Sequence, residues 1–230
     1  MEPALSTRLN VSRPKAILFD LDGTLFDTIE LLVGSMRHAF AEHPGRRPTT
    51  EEWIAGIGTP LRTQLRELLD SDAEVERVVE RYRGYQQAHH DRLMRCYDDV
   101  LDTLEALHTR GHPLGIVTSK MNDLMNRGLE HTGIARLITA AVGCDSCTRH
   151  KPDPEPVHVA LELLGYAAHE AMFVGDSPHD MNSGRAAGVT TIAALWGPFT
   201  REQLVHTDPD HWLERIADLP ALVQKLQAKP

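Results

Sequence analysis

Residues 16–27 read AILFDLDGTLFD, and this stretch decides the fold because an unbroken apolar run ends there in two carboxylates. The four apolar residues 16–19 predict a strand buried on both faces, since a half-solvated strand would alternate polar and apolar residues. Asp20 and Asp22 have the same strand parity, so both side chains can leave on one side, and Gly23 permits a sharp turn. Two carboxylates this close repel each other unless a cation or a shared proton relieves them. The stretch therefore predicts a charged site at a strand end, where α/β proteins place their chemistry.

The composition is that of an ordinary globular protein. The chain has 230 residues, of which 41% are hydrophobic and 25% charged, and this excludes the disordered and fibrous classes. The net charge of −9 and the absence of a Lys/Arg-rich run argue against nucleic-acid binding. No stretch approaches the roughly 18 consecutive apolar residues of a membrane span, and the first residues lack the hydrophobic core of a signal peptide. We therefore expect a cytoplasmic protein with no membrane or nucleic-acid partner, and no sequence feature indicates its oligomeric state.

Three cysteines, Cys96, Cys144 and Cys147, are too few for a disulfide framework. The spacing of Cys144 and Cys147, with His150 nearby, is compatible with zinc or redox chemistry. A structural zinc site needs four ligands, and the sequence lacks a second pair. We interpret this segment as a plain loop.

The segment after the first strand is helical throughout. Residues 1–14 lack periodicity and are expected to form a frayed terminus. Helical patterns then follow without a strand signal until about residue 96, and they cover residues 28–40, 50–56, 60–70 and 73–92. Such an insertion predicts a separate helical domain at residues 28–96.

One loop of this insertion has two possible roles. Residues 56–62 contain two glycines and a proline, so they are the least helical part of the insertion. The segment is either a turn between helices or a specificity loop that brings Thr59 and Arg62 to a substrate.

From residue 97 onward, strand and helix patterns alternate. The expected strands are residues 113–118, 138–142, 172–175 and 190–194, and a last helix is expected over 213–226. This alternation predicts a doubly wound α/β core with a mostly parallel sheet, formed by residues 1–27 and 97–230.

Three further stretches carry polar groups near strand ends or helix starts. Thr118 and Ser119 follow a buried strand and precede a helix, an arrangement that suits phosphate binding but is also ordinary helix capping. Lys151 precedes a proline-rich helix start, where a cation opposes the helix dipole unless an acidic partner or a bound anion relieves it. Asp176 and Asp180 surround the start of another helix, and simple capping explains only one of them.

Together these four stretches, in this order from residue 20 to residue 180, resemble the motifs of the haloacid dehalogenase superfamily. The resemblance implies a helical cap that closes over an active site at the strand ends. It implies Asp20 as the nucleophile that forms an aspartyl-phosphate, and Asp22 as general acid and base. The resemblance further implies groups that bind a metal ion and groups that bind the phosphoryl oxygens. Mg²⁺ would be held by Asp20, the backbone carbonyl of Asp22, Asp176 and Asp180, and the phosphoryl oxygens by Thr118, Lys151 and amides near Gly23 and Ser119.

Within the superfamily, the second acid Asp22 argues against dehalogenases, and the absence of membrane spans argues against ion pumps. The chain also resembles the branch that contains phosphoglycolate phosphatases and a bacterial inorganic pyrophosphatase. We expect a Mg²⁺-dependent phosphatase that hydrolyses a small phosphorylated metabolite, a phosphoric monoester.

Other functions stay open at this point. One is an inorganic pyrophosphatase, and another is a mutase of the β-phosphoglucomutase type. The Arg-rich, Lys-poor composition resembles proteins of GC-rich bacteria, so a tailoring phosphatase acting on a phosphorylated sugar of a natural product is a further alternative. A non-catalytic binding protein is disfavoured because every candidate catalytic position is filled.

Overall fold

The structure is a computed structural model that describes residues 15–227. In this range the strands are β1 (Ala16–Phe19), β2 (Phe26–Asp27), β3 (Arg95–Cys96), β4 (Leu114–Val117), β5 (Ile138–Val142), β6 (Ala171–Gly175), β7 (Thr190–Ala194) and β8 (His211–Leu213). The α-helices of the same range are α1 (Ile29–Ala39), α2 (Thr50–Ala55), α3 (Leu61–Arg66), α4 (Asp72–Leu93), α5 (Val100–Thr109), α6 (Asn122–His131), α7 (Glu155–Leu164), α8 (Pro178–Ala187), α9 (Arg201–Leu204) and α10 (Leu219–Gln227). The predicted frayed terminus at residues 1–14 lies outside the described residues.

Six strands form one parallel sheet in the order β5-β4-β1-β6-β7-β8. The first strand lies in the middle, with Phe19 beside Ile116 of β4 and Val174 of β6. The chain builds outward from β1 through β4 to β5 and then crosses back to β6. This reversal next to β1 is the topological switch point at which doubly wound folds bind ligands. The predicted fold class is confirmed.

Both faces of the sheet are covered, as the continuous apolar runs require. Every residue of β1 is fully buried, with Ile17 and Phe19 in one apolar cluster and Ala16 and Leu18 in another. The first cluster includes residues of α5, α6 and α10, and the second includes residues of α7 and α8. Helices therefore pack on each side of the sheet and leave its carboxyl edge free for polar side chains.

We call α1–α4 the cap helices. Their apolar residues form a cluster of their own in which Trp53 packs on Tyr82, with ring centroids 5.5 Å apart. Two short antiparallel strands, β2 and β3, join the cap helices to the rest of the chain, and Asp27 and Arg95 form an ion pair there at 2.6 Å. These features favour a core at residues 1–27 and 97–230 and a cap at residues 28–96, although this division stays a prediction.

The C-terminal end of α4 is partly buried although its sequence is strongly charged. His90 is only 1% exposed, and its Nδ1 lies 2.7 Å from a carboxylate oxygen of Asp91. The same oxygen accepts a hydrogen bond from Arg127 of α6 at 2.9 Å. This end of α4 is therefore tied to a helix outside the cap.

The predicted helix over residues 213–226 begins too early. His211–Leu213 instead form β8, a sixth strand beside β7, and α10 begins at Leu219. A three-residue strand is too short to show an alternating pattern, so the apolar residue at its end was assigned to the helix that follows. Among residues 15–227, no helix has both the length and the apolar character to cross a membrane.

Candidate active site

The strand ends at the switch point bring the predicted charged residues together. Asp20 follows β1, Thr118 follows β4 and Asp176 follows β6, so parallel pairing places all three at one edge of the sheet. Asp180 enters from the first turn of α8, and Lys151 from the segment before α7. The three aspartates and the lysine are all buried.

Lys151 is the central cation of the site. Its ammonium donates hydrogen bonds to Asp20 Oδ1 at 2.9 Å, to Asp180 Oδ1 at 2.6 Å and to the backbone carbonyl of Val117 at 3.2 Å. Burial opposes the charged ammonium, but the carboxylates of Asp180 and Asp20 outweigh it and raise the pKa of Lys151 above its ordinary value. Lys151 therefore remains a cation. A cation before a helix requires an acidic partner, and Asp20 and Asp180 fill this role.

Asp20, Asp176 and Asp180 form a carboxylate trio, with one oxygen of each within 4.8 Å of the others. Asp180 Oδ2 accepts hydrogen bonds from the amide and hydroxyl of Ser177, at 3.0 and 2.6 Å. Thr24 donates to Asp176 Oδ1 at 2.6 Å, whereas Asp176 Oδ2 is buried and has no hydrogen-bond partner among the described residues. An orphaned buried carboxylate oxygen in an all-oxygen donor set fits a hard divalent cation.

The pKa values of Asp20 and Asp176 reflect the same excess of negative charge. Burial raises the pKa of Asp20 to about 7, against the opposing charge of Lys151 and with a further increase from Asp180. Burial and the neighbouring carboxylates of Asp180 and Asp20 also raise the pKa of Asp176 well above its ordinary value. One lysine does not balance three carboxylates, so a bound cation would relieve the repulsion that remains.

Asp22 lies outside this trio. Its carboxylate forms an ion pair with Lys120 at 2.9 Å and accepts a hydrogen bond from Thr28 at 2.7 Å. Asp22 also lines the cavity described below, so it faces the space that a substrate would fill. The pairing of Asp22 with Lys120 and Thr28 was not predicted, because sequence spacing does not show which side chains meet when the cap helices pack on the core.

Gly23 provides space within the site. Its φ of 91° lies in the left-handed region, and a Cβ there would come within 2.5 Å of Asp176 Oδ2. The amide of Gly23, expected near the phosphoryl oxygens, donates to the carbonyl of Phe26 at 2.9 Å. Glycine is therefore required here for conformation and for the close approach of Asp176.

The predicted phosphate-binding residues of β4 occupy the same edge. Thr118 is buried and lines the cavity, and its hydroxyl accepts a weak hydrogen bond from the Lys120 amide at 3.3 Å. The hydroxyl of Ser119 donates to the carbonyl of Gly58 in the cap at 2.5 Å. The Ser119 side chain thus binds the cap, while its backbone remains at the strand end.

The loop of residues 56–62 reaches across to the core. The hydroxyl of Thr59 lies 3.1 Å from Nε2 of His179 in α8. Arg62, in contrast, is held within the cap by Glu76 through two hydrogen bonds of 2.7 and 2.8 Å. Both predicted residues line the cavity, but only Thr59 contacts the core through its side chain.

A cavity of about 300 Å³ lies between the cap helices and the strand ends. Residues outside the cap that line it are Asp20, Asp22, Thr118, Ser119, Lys120, Met121, Leu124, Cys144 and Asp145. Residues of the cap that line it are Leu32, Trp53, Ile57, Gly58, Thr59, Leu61, Arg62, Gln64, Tyr82, Arg83 and Gln86. Its volume is at the lower end of the roughly 300–1,000 Å³ that is usual for small-molecule sites.

No cysteine belongs to a metal-binding cluster among residues 15–227. Cys96, Cys144 and Cys147 are free thiols, and burial raises the pKa of each of them. Between residues 15 and 227, the carboxylate trio is the one cluster suited to a metal. Cys144–Ser146 form a short 3₁₀ turn.

A doubly wound sheet with buried aspartates and a lysine at its switch point is the framework of haloacid dehalogenase-like hydrolases. The family model described as haloacid dehalogenase-like hydrolase matches residues 17–194, and the chain belongs to this family. It is a hydrolase of the phosphatase type.

Proteins similar to this chain in sequence have more specific names than the family model. The chain is 38% identical to pyrophosphatase PpaX of Anoxybacillus flavithermus, over 90% of this chain and 95% of that protein. It is 39% identical to pyrophosphatase PpaX of Bacillus pumilus, over 94% of this chain and 99% of that protein.

Solved structures agree on the fold. A haloacid dehalogenase-like family hydrolase from Streptococcus pneumoniae has a TM-score of 0.80 and 26% identity, covering 90% of this chain and 97% of its own. A predicted phosphoglycolate phosphatase from Haemophilus somnus has a TM-score of 0.81 and 24% identity, covering 93% of this chain and 99% of its own.

Proposed function

We propose that this protein is a Mg²⁺-dependent phosphatase that hydrolyses a small phosphorylated metabolite through an aspartyl-phosphate on Asp20. The observation that carries the proposal is the contact of Lys151 with Asp20 and Asp180 beside the unpartnered Asp176 Oδ2. This arrangement supplies a cation for phosphoryl oxygens, a free nucleophile oxygen and donors for a metal. The lysine and the metal would neutralise charge in phosphoryl transfer, and the free oxygen of Asp20 would be the attacking group.

Asp20, Asp176 and Asp180, with the backbone carbonyl of Asp22, are the groups that would hold Mg²⁺. When bound, the ion neutralises negative charge on the phosphoryl group. Lys151 and the hydroxyl of Thr118 would bind phosphoryl oxygens from the strand side, together with the amide of Ser119.

Asp20 and Asp22 would carry out the two chemical steps. Asp20 Oδ2 has no hydrogen bond to any described residue, and it attacks phosphorus as the bond to the leaving oxygen breaks. Asp22, which is ion-paired with Lys120, would first gain a proton on substrate binding and then pass it to that leaving oxygen. In the second step Asp22 removes a proton from water, the water oxygen attacks phosphorus, and the bond from phosphorus to Asp20 breaks to release phosphate.

The volume of the cavity favours a small substrate. About 300 Å³ suits a short phosphorylated metabolite better than an aromatic sugar conjugate of a natural product. A phosphoric monoester is the first candidate. Inorganic pyrophosphate is the second, because the PpaX relatives that cover most of this chain are named pyrophosphatases.

The test is phosphate release across a panel of substrates with Mg²⁺: phosphoglycolate, pyrophosphate, hexose phosphates and p-nitrophenyl phosphate. We expect hydrolysis of at least one small substrate, its loss with a chelator, and its recovery when Mg²⁺ is restored. Asp20→Asn should reduce kcat by at least about 10⁴-fold, since it removes the nucleophile. Its circular dichroism should match that of the wild type. Substantial activity in this variant would show that Asp20 is not the nucleophile, and hydrolysis without metal would contradict the proposed site.

A further inference from the structure

The cavity contains one cation that has no acidic partner. Lys120 pairs with Asp22, and Arg62 pairs with Glu76. Arg83 of α4 also lines the cavity, but among residues 15–227 it forms no ion pair, and its guanidinium contacts the sulfur of Met121 at 2.6 Å. A thioether is a weak acceptor that leaves the positive charge of Arg83 unneutralised.

A second polar group next to Arg83 is also unpaired. Gln86 lies one turn further along α4, is only 6% exposed and lines the same cavity. Its side-chain amide has no hydrogen bond to any residue that the structure describes. The amide is accessible from the cavity, so it can donate to or accept from a polar ligand there.

The carboxylates near this end of the cavity do not fill the role of that ligand. Glu76 accepts hydrogen bonds from Arg62 at both of its carboxylate oxygens. Arg62 and, to a smaller extent, Arg83 lower the pKa of Glu76, so Arg83 interacts with this carboxylate only at longer range. Asp145 also lines the cavity, but it is exposed and accepts a hydrogen bond from the amide of Asn122 at 2.8 Å. Arg83 is therefore available to an anion that enters from solution.

The two unpaired groups lie on the cap, whereas Asp20 and Asp22 lie on the core. A substrate whose phosphorus is attacked by Asp20 directs its leaving group away from the strand ends, and the cap helices close the cavity on that side. Arginine and a side-chain amide together match the charge and the hydrogen-bonding geometry of phosphate or carboxylate oxygens.

We propose that Arg83 and Gln86 bind the leaving group and select substrates in which this group carries a second anionic oxygen cluster, either a phosphate or a carboxylate. The inference rests on the proposed phosphatase function and assigns its specificity to one face of α4. Neutral leaving groups leave the charge of Arg83 unpaired, and the enzyme discriminates against them.

The experiment compares kcat/KM of Arg83→Met and the wild type for pyrophosphate, phosphoglycolate and p-nitrophenyl phosphate. Loss of a hydrogen-bonded charge pair corresponds to about 10- to 100-fold in kcat/KM for the two anionic leaving groups, and we expect less than about threefold for the aryl ester. Gln86→Leu should lower the same two values by about 3- to 10-fold, and Arg83→Lys should recover part of the loss. Whichever anionic substrate the wild type prefers identifies the leaving group as phosphate or carboxylate.

Arg77→Met is the matched control, because it removes the same charge from α4 at an exposed position paired with Glu74. It should change none of the three values by more than about twofold. An equal loss on all three substrates in Arg83→Met would contradict the proposal, as would a selective loss in Arg62→Met instead.

A binding measurement separates the two proposals. Calorimetry with pyrophosphate and Mg²⁺ on Asp20→Asn, with and without Arg83→Met, reports the Arg83 contact without turnover. Weaker binding in the double variant supports the role of Arg83 even if the wild type hydrolyses none of the panel. Unchanged binding overturns that role even if the wild type is an active phosphatase.

Discussion

Lys151 has three hydrogen-bond acceptors and almost no contact with solvent. Its side chain is 1% exposed, and its partners Asp20 and Asp180 are 5% and 0% exposed. Removal of one member of a buried ion network leaves the remaining charges without compensation. The side chain of Lys151 should therefore contribute both to the stability of the fold and to the chemistry of the site.

Lys151→Met should therefore reduce kcat by more than about 100-fold and lower the free energy of unfolding in metal-free buffer by about 3–5 kcal/mol. Saturating Mg²⁺ should reverse part of the loss of stability, because a cation in the carboxylate trio replaces some of the missing positive charge. Urea unfolding with chelator and with Mg²⁺ measures both effects. Lys225→Met, at an exposed position in α10, should stay within about 0.5 kcal/mol of the wild type. Equal stability of Lys151→Met and wild type without metal would contradict this electrostatic account.

Strand-end position explains why much of the charged site could be predicted. Asp20, Thr118 and Asp176 each follow a continuous apolar run, and parallel strands bring such positions to one edge. The contacts of Asp22 with Lys120 and of Arg62 with Glu76 could not be predicted in the same way. The first contact joins the segments that follow β1 and β4, and the second joins two cap helices. Both are decided by long-range contacts rather than by spacing along the chain.

At the scale of elements, the loop of residues 56–62 is the contact between cap and core above the cavity. Gly58 accepts the hydrogen bond of Ser119, and Thr59 contacts His179. Gly58 has a φ of 99°, and a Cβ there would lie 2.9 Å from the hydroxyl of Ser177. The loop thus approaches α8 as closely as its backbone permits, and its two side-chain contacts hold the cavity closed.

The double variant Thr59→Val with Ser119→Ala should raise KM for the preferred substrate by about 5- to 150-fold, since two hydrogen bonds of about 0.5–1.5 kcal/mol each are lost. The melting temperature should change little, because the apolar clusters are untouched. Steady-state kinetics and the rate of proteolysis within residues 56–62 measure the opening of the cap. Thr63→Val, at an exposed position in α3, is the control and should behave as the wild type. An unchanged KM in the double variant would show that these contacts do not hold the cap closed.

Sequence patterns predicted long elements better than short ones. The 22 residues of α4 form one helix, as their periodicity indicates, and Thr49 and Glu52 form the capping box that their spacing indicates. The three-residue β8 was missed because its pairing with β7 is a tertiary contact. A sequence pattern predicts a helix or strand when the residues of that element alone show its periodicity. A short edge strand has too few residues to do so.

At the scale of the whole molecule, the chain has separate apolar clusters in the cap helices and on the two faces of the sheet. The carboxylate trio belongs entirely to the sheet side, whereas Trp53 and Tyr82 belong to the cap cluster. The cap helices contact the rest of the molecule at the cavity and through the hydrogen bond between Asp91 and Arg127. The chain itself passes between the two parts through β2 and β3. A ligand that binds only the trio should therefore stabilise one part of the molecule more than the other.

Amide hydrogen exchange with and without Mg²⁺ tests this separation. At a Mg²⁺ concentration about 100 times its Kd, binding adds about 2.7 kcal/mol to the stability of the part that holds the ion, which slows its exchange by up to about 100-fold. We expect that slowing in β1 and β6, and less than about threefold in α2 and α3, because the cap cluster opens without exposing the trio. Asp176→Asn, which removes one donor of the trio, should abolish the difference in β1 and β6. Equal slowing in α2 and α3 would mean that cap and core open as one cooperative unit, and the two connecting strands would then act as a rigid joint rather than a hinge.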